Sequence, residues 1–264
     1  MFDVFGMFSW QTGLIIILIH MHIRYAVSTV YLHRGAGHHV FKFSPVLAHF
    51  CRFILWATGQ YFWKNWLQHW AAQHRKHHKY SDRPEDPHSP HQVTLKQFLF
   101  DYDKQYSPWY LTDEEVQFYA PDISTPDDWI DRNLYCKYPN LARGIQAIIF
   151  SILFGLPGIV FGIILYFYIT PFSAFITAWT HHKIGFRYAA HSGTNDHSKI
   201  LCPIGLFQSG ESLHANHHAN PRNPTFSHHW WELDPGWWYA QFFTAIGLMS
   251  IVNRSVDVEG NSVD

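Results

Sequence analysis

The chain has 264 residues, enough for one domain or two small ones around a substantial core. Its 19 Lys and Arg are matched by 20 Asp and Glu, and a net charge of −1 argues against a nucleic-acid partner. Aromatic side chains make up 18% of it, which suits a protein working at a membrane interface, whereas its 21 histidines need a separate explanation.

Residues 11–32, "QTGLIIILIHMHIRYAVSTVYL", are long enough as a helix to cross a hydrocarbon core of about 30 Å. No basic segment precedes this run and no small-residue cleavage site follows it, so it reads as a retained membrane segment. His20, His22 and Arg24 interrupt it; each is costly against lipid and is expected to face protein or water. The stretch 46–70 is apolar but carries His49, Arg52, Lys64 and His69, the pattern of an amphipathic helix lying on a membrane surface. From 79 to 143 the chain turns polar and acidic, with "SDRPEDPHSP" and "STPDDWIDRN" marking loops and a helix start.

Residues 145–182 contain no Asp, Glu, Lys or Arg. At about 1.5 Å per residue the run is too long for one span and predicts a helical hairpin, with "GLPG" at 155–158 and Pro171 as breaks. A second surface helix is expected near 237–252. Cys51, Cys136 and Cys202 match no metal spacing and read as reduced packing residues. The expected fold is therefore an all-α integral membrane protein of about three transmembrane helices, with interfacial amphipathic helices and a cytoplasmic histidine-rich cap. It forms one domain over 1–253, followed by a polar disordered tail at 254–264.

One crossing by 11–32 and two by 145–182 leave 33–143 and 183–264 on the same side. Those two stretches hold 13 and 5 of the 19 Lys and Arg, and the first ten residues and the hairpin turn hold none. The positive-inside rule makes that side cytoplasmic, as in a bacterial inner membrane.

All the histidine motifs fall on it. "HRGAGH" supplies His33 and His38, "HRKHH" His74, His77 and His78, and "HANHH" His214, His217 and His218. Positions i, i+3 and i+4 share a helix face, so each of the last two motifs can aim three imidazoles at one locus. Neutral imidazole is a good ligand for iron, zinc, copper or nickel. A structural zinc is satisfied by four ligands, so eight or more imidazoles imply two metals with room for water, oxygen or substrate. Asp82, Glu85, Asp86 and Glu211 are candidates to orient imidazole N–H donors, or else are ordinary loop acids. His39, His49, His69, His88, His91, His191, His197, His228 and His229 read as surface or hydrogen-bonded groups, with His88 in "DPHSP" the one best placed to support the second motif.

"HRGAGH", "HRKHH" followed by "DPHSP", and "GESLHANHHANP" together resemble the three histidine boxes of membrane acyl desaturases, specifically the bacterial relatives of stearoyl-CoA desaturase. The resemblance extends over about residues 10–250 and includes "TPDDWIDRNLY", "HHKIGFR" and "WWELDPGWWY". It implies a diiron centre, two iron ions held by nine histidines: His33, His38, His74, His77, His78, His214, His217, His218 and a ninth before "GFR". Spacing places the ninth at His182, with His181 as its rival. Where animal-related enzymes have an asparagine that contacts one metal through water, this chain has Ala178.

The resemblance further implies O2 as oxidant and a fatty acyl substrate linked to CoA, a carrier protein or a lipid. Removing hydrogen from an unactivated methylene pair is beyond side-chain acids and bases and calls for metal and O2 chemistry. No dinucleotide fingerprint, iron–sulfur cysteine cluster or haem domain is legible. An external donor is therefore expected: ferredoxin, rubredoxin or a cytochrome with its reductase, with Arg75, Lys76 and Lys79 as a candidate docking face. Trp63 and Trp66 are candidate acyl-chain walls or interfacial anchors. Two other readings stay open at this point: a diiron acyl-chain hydroxylase or related oxidase, and a histidine-rich membrane protein that binds or transports metal.

Overall fold

The structure is a computed structural model that describes residues 6–61, 65–87, 89–92, 94–96, 111–123, 126–168, 175–188, 195–201 and 204–252. Helix α1 (Trp10–Val27) starts where the Ser9 hydroxyl accepts the Thr12 N–H, and it continues without a break into a π-helical stretch, Ser28–Gly37. The inward face of α1 carries Gly13, Ile17, Met21 and Arg24 at helical spacing. The opposite face leaves Leu14, Ile15, Leu18, Ile19 and Ile23 exposed, the inverse of a soluble helix. The three polar residues of the run turn toward protein. Arg24 is buried and donates to the Thr58 carbonyl, His20 faces Gln146, and His22 sits 2.9 Å from the Phe207 carbonyl and 2.5 Å from the Tyr239 hydroxyl.

Of the hairpin expected at 145–182, the reversal at 155–158 is present. Helix α5 (Leu141–Ile163) reverses at Gly155, whose φ of 61° and ψ of −135° suit glycine, and Pro157 then falls in the first turn of the returning arm. The arms lie so close that a Cβ on Gly162 would sit about 3.0 Å from Ala147. The turn packs at the start of α1, where the Met7 N–H donates to the Leu153 carbonyl at 2.7 Å. Ile145, Ile148, Ile152, Ile159 and Ile163 remain exposed along the arms. By length and composition Trp10–Gly37 is long and apolar enough to cross a membrane, whereas Leu141–Phe167, though more apolar, is folded back on itself at Gly155. Pro171 lies outside the described residues.

The single surface helix expected over 46–70 is instead two elements. Helix α2 (Pro45–Ala57) ends at Thr58, the chain turns at Gly59 (φ 73°), and α3 (Trp66–Tyr80) begins after Asn65, also at positive φ. Only α2 keeps an exposed apolar stripe, of Val46, Phe50 and Phe53; α3 is packed inside, because it carries the second histidine motif. Trp66 belongs to this core, 5.7 Å from the Tyr61 ring, and Trp63 lies outside the described residues. The polar stretch that follows contributes α4 (Asp113–Tyr119), closed by a Thr112–Glu115 capping box.

A second difference lies at the carboxyl end. Helix α7 (Pro235–Ala245) and its C-terminal cap expose Trp238, Phe242 and Ile246 on one stripe, but the chain then turns and Met249–Ile251 pairs antiparallel with Phe41–Phe43. The mostly helical fold thus contains a two-stranded ribbon that ties the last described residues to the segment just after the first histidine motif. Positions 254–264 lie outside the described residues. Cys51 and Cys136 are free thiols, and Cys202 lies outside the described residues.

A buried ion pair supports this frame: Arg52 donates to both Asp131 and Asp128, while Tyr61 donates to Asp131 at 2.5 Å. Arg52→Ala leaves the Asp131 carboxylate without its cation in a dry site and is expected to cost about 3–5 kcal/mol. A thermal unfolding scan checks this, and an unchanged midpoint would contradict it.

Candidate metal centre

The π-helical stretch after α1 delivers His33, and its end delivers His38. Helix α3 delivers His74, His77 and His78 from consecutive turns, and the short α6 (His214–Ala219) delivers His214, His217 and His218. His182 comes from the helical segment 175–183 that follows the hairpin. The structure brings these nine residues into two adjacent clusters. One holds His33, His38, His74, His78 and His217; the other holds His77, His182, His214 and His218.

Within the first, Nε2–Nε2 separations are 2.8 Å for His33–His217 and for His38–His74, 2.9 Å for His78–His217, and 3.0 Å for His74–His78. Within the second they are 3.1 Å for His182–His214 and for His214–His218, and 3.3 Å for His77–His218. Two nitrogens bound at about 2.0–2.1 Å to one ion at right angles lie about 2.9 Å apart. The donor set therefore fits two metal ions, one with five imidazoles around it and one with four.

The far side of each ring explains why Nε2 points inward. Glu211 accepts from His33 Nδ1 at 2.7 Å, Asp86 from His77 Nδ1 at 2.8 Å, and Asp82 from His182 Nδ1 at 2.8 Å. A carboxylate on Nδ1–H fixes the tautomer and leaves the Nε2 lone pair as the ligand. Asp196, 3.3 Å from His218 Nδ1, and Ser81 serve the fourth ring in the same way. Glu85, by contrast, is exposed.

Electrostatics favour the neutral form for six of the nine imidazoles. Burial first, and then the neighbouring imidazoles, hold His38, His74, His78, His214 and His217 well below the usual histidine range. His218 is pushed down to about 4 by burial, against the opposing pull of Asp196. Burial would raise the carboxyls of Asp82 and Glu211, but their histidine partners outweigh it and hold both low, Glu211 at about 2. His77 runs the other way: Asp86 outweighs burial and raises it.

His181 lies outside both clusters, with its Nε2 3.0 Å from Gln208 Oε1. His39 pairs with Asp122, His49 with Arg52, and His91 with the His182 carbonyl at 3.1 Å, while His88 and His191 lie outside the described residues. The cations of the second motif are engaged within the fold. Arg75 binds Asp122 and the carbonyls of Ala36 and Gly37, fastening the first motif to the second, and Lys76 binds Glu115 at 2.6 Å. Lys79 lies over the Tyr80 and Phe118 rings. Three contributors carried no periodic signal in the sequence: Asp196, Ser81, and Phe226, whose ring packs on His33 and His217 at 5.5 and 4.5 Å.

The model of the fatty acid desaturase family matches residues 8–250, a span that contains all nine histidines. The chain belongs to the fatty acid desaturase family. An sn-1 stearoyl-lipid 9-desaturase from Synechocystis is 27% identical over 249 residues, 91% of this chain and 71% of that protein. An acyl-CoA 5-desaturase from Anemone leveillei is 25% identical, covering 95% of this chain and 74% of its own length. A hex-5-enoyl-[acyl-carrier protein] acetylenase from Moorena producens is 28% identical over 84% of this chain and 70% of its own. This desaturase is thus an oxidoreductase acting on fatty acyl chains, and its two histidine clusters are able to hold metal.

Proposed function

We propose that this desaturase is an O2-dependent diiron enzyme that introduces a double bond into a fatty acyl chain. The observation that carries the reading is the convergence of nine Nε2 atoms from four separate stretches of chain into two clusters. Nine nitrogen donors with no carboxylate in either set suit iron as well as any first-row metal, and the family points to iron. Iron held by His33, His38, His74, His78 and His217, and by His77, His182, His214 and His218, supplies with O2 the oxidising power for an unactivated C–H bond.

The protein's own contribution is positional. Glu211, Asp86 and Asp82 hold the Nδ1 protons, so the inward nitrogens stay available. Phe226 and Trp70 pack on the cluster rings and keep water from their outer faces; the Trp70 ring stacks on His74 at 5.1 Å. Overall, the acyl –CH2–CH2– unit becomes –CH=CH–, and O2 takes up its two hydrogens together with two electrons and two protons to give two waters. The two electrons come from an external ferredoxin, rubredoxin or cytochrome with its reductase.

The same reading sets the chain in a bilayer with α1 crossing once and the hairpin twice. The hairpin turn beside the start of α1 supports it, since that end is opposite to His33 and His38. Lys and Arg concentrate on the histidine side, which is accordingly cytoplasmic.

Expression in a bacterial host with a compatible donor, followed by analysis of its lipids, is expected to yield new unsaturated acyl chains. His77→Ala and His217→Ala, one from each cluster, should each abolish them. New hydroxy-acids without alkenes would overturn desaturation in favour of chain hydroxylation.

A further inference from the structure

Arg34, the second residue of the first histidine motif, is fully buried although it is a cation. Its guanidinium donates to Asp234 Oδ1 at 2.7 Å and to the Pro224 carbonyl at 2.9 Å, and it lies 3.7 Å above the centre of the Phe226 ring. Asp234 in turn accepts the Phe226 N–H at 2.8 Å and the Trp237 N–H at 3.1 Å, so it also caps α7. From the other side, Asn216 of the third motif donates to the Phe226 carbonyl at 2.9 Å. Phe226 is thereby gripped at its N–H, its carbonyl and its ring face, and its ring edge meets His33 and His217, two imidazoles 184 positions apart whose Nε2 atoms are 2.8 Å from each other.

The surroundings are built for this arrangement. A Cβ on Gly210 or Gly236 would collide with Asp234 or with the Ser209 carbonyl, and either would stand 3.0 Å from the Arg34 guanidinium. Both glycines belong to the segments flanking the third motif and the closing "WWELDPGWWY".

We propose that Arg34 is a positioning residue for the five-histidine cluster, holding His33 and His217 in register through Phe226 and Asp234. The proposal rests on the metal reading above. It assigns the closing segment a task in the metal centre, although that segment supplies none of the nine histidines.

Cobalt(II) titration of the purified full-length protein, read by visible absorption, tests it without turnover. Arg34→Lys keeps the charge but loses the planar fork, and Phe226→Leu keeps an apolar side chain but removes the ring. Both are expected to weaken cobalt binding at the five-histidine cluster at least tenfold and to shift its absorption bands toward those of His33→Ala, the reference for a broken cluster. The four-histidine cluster should load as in the unaltered protein. Arg52→Lys, at a buried ion pair whose partners, Asp131 and Asp128, include no cluster histidine, should lower thermal stability yet leave the cobalt spectrum unchanged. Wild-type affinity and bands in Arg34→Lys and Phe226→Leu would overturn the proposal while leaving the two-metal reading intact. A wild-type protein that binds no cobalt would overturn both.

Discussion

Replacing Asp86 with asparagine is expected to lower metal affinity at the four-histidine cluster about 10- to 100-fold, although Asp86 itself is not among the nine histidines. Its Oδ2 accepts two hydrogen bonds at 2.8 Å, one from His77 Nδ1 and one from the Asp82 N–H. An amide in its place accepts through one oxygen only and carries no charge to polarise the imidazole, so His77 becomes a poorer and less well oriented donor. Glu211→Gln should do the same at the five-histidine cluster through His33. Glu85→Gln is the matched control, an exposed neighbour one position from Asp86. Iron per chain, measured after dialysis against a weak chelator, should fall in the first two variants and hold in the control. Equal retention in all three would show that these carboxylates are bystanders.

Much of the centre was legible in the sequence because helical spacing does the work. HxxHH on a helix places three rings on one side, and α3 and α6 do so, but neither aims all three at one locus: His74 and His78 part from His77, and His217 from His214 and His218, to serve different clusters. The membrane-type hairpin was legible for a related reason: an uncharged run of that length needs a reversal, and Gly155 with Pro157 provides one. What was hidden depends on loops. Asp86 and Glu85 are adjacent acids in one polar stretch, and only the fold buries the first and exposes the second. Asp196 and Phe226 reach the clusters from segments with no periodicity. The break between α2 and α3 was hidden too, because hydropathy runs on across Thr58–Asn65 while the backbone turns at positive φ. Likewise the last apolar run reads as helix to its end, yet Met249–Ile251 becomes a strand because Phe41–Phe43 offers an edge to pair with.

Metal removal should make the protein strongly sensitive to mild acid. Five of the buried cluster histidines are held well below their usual range, and His218 lies at about 4. In the unfolded chain the same rings take up protons near pH 6.5. As pH falls through that value the unfolded state binds protons that the metal-free fold does not, so unfolding becomes easier by about 1.4 kcal/mol per pH unit for each net proton. His77, which is raised, opposes this as a single group, and its contribution is lost instead as pH rises. Glu211, held near 2, adds a second loss below about pH 4.5. The chelated protein should therefore show a melting temperature that drops steadily from pH 7.5 to pH 5. With metal bound, each Nε2 lone pair is occupied, and protons must displace the ion before they can act, so the loaded protein should hold its melting temperature to a lower pH and then collapse to the chelated curve. Parallel thermal scans with and without chelator check both halves. A chelated protein with a flat profile over that range would mean that these six lowered rings are not buried as neutral imidazoles, and the metal reading would lose its electrostatic basis.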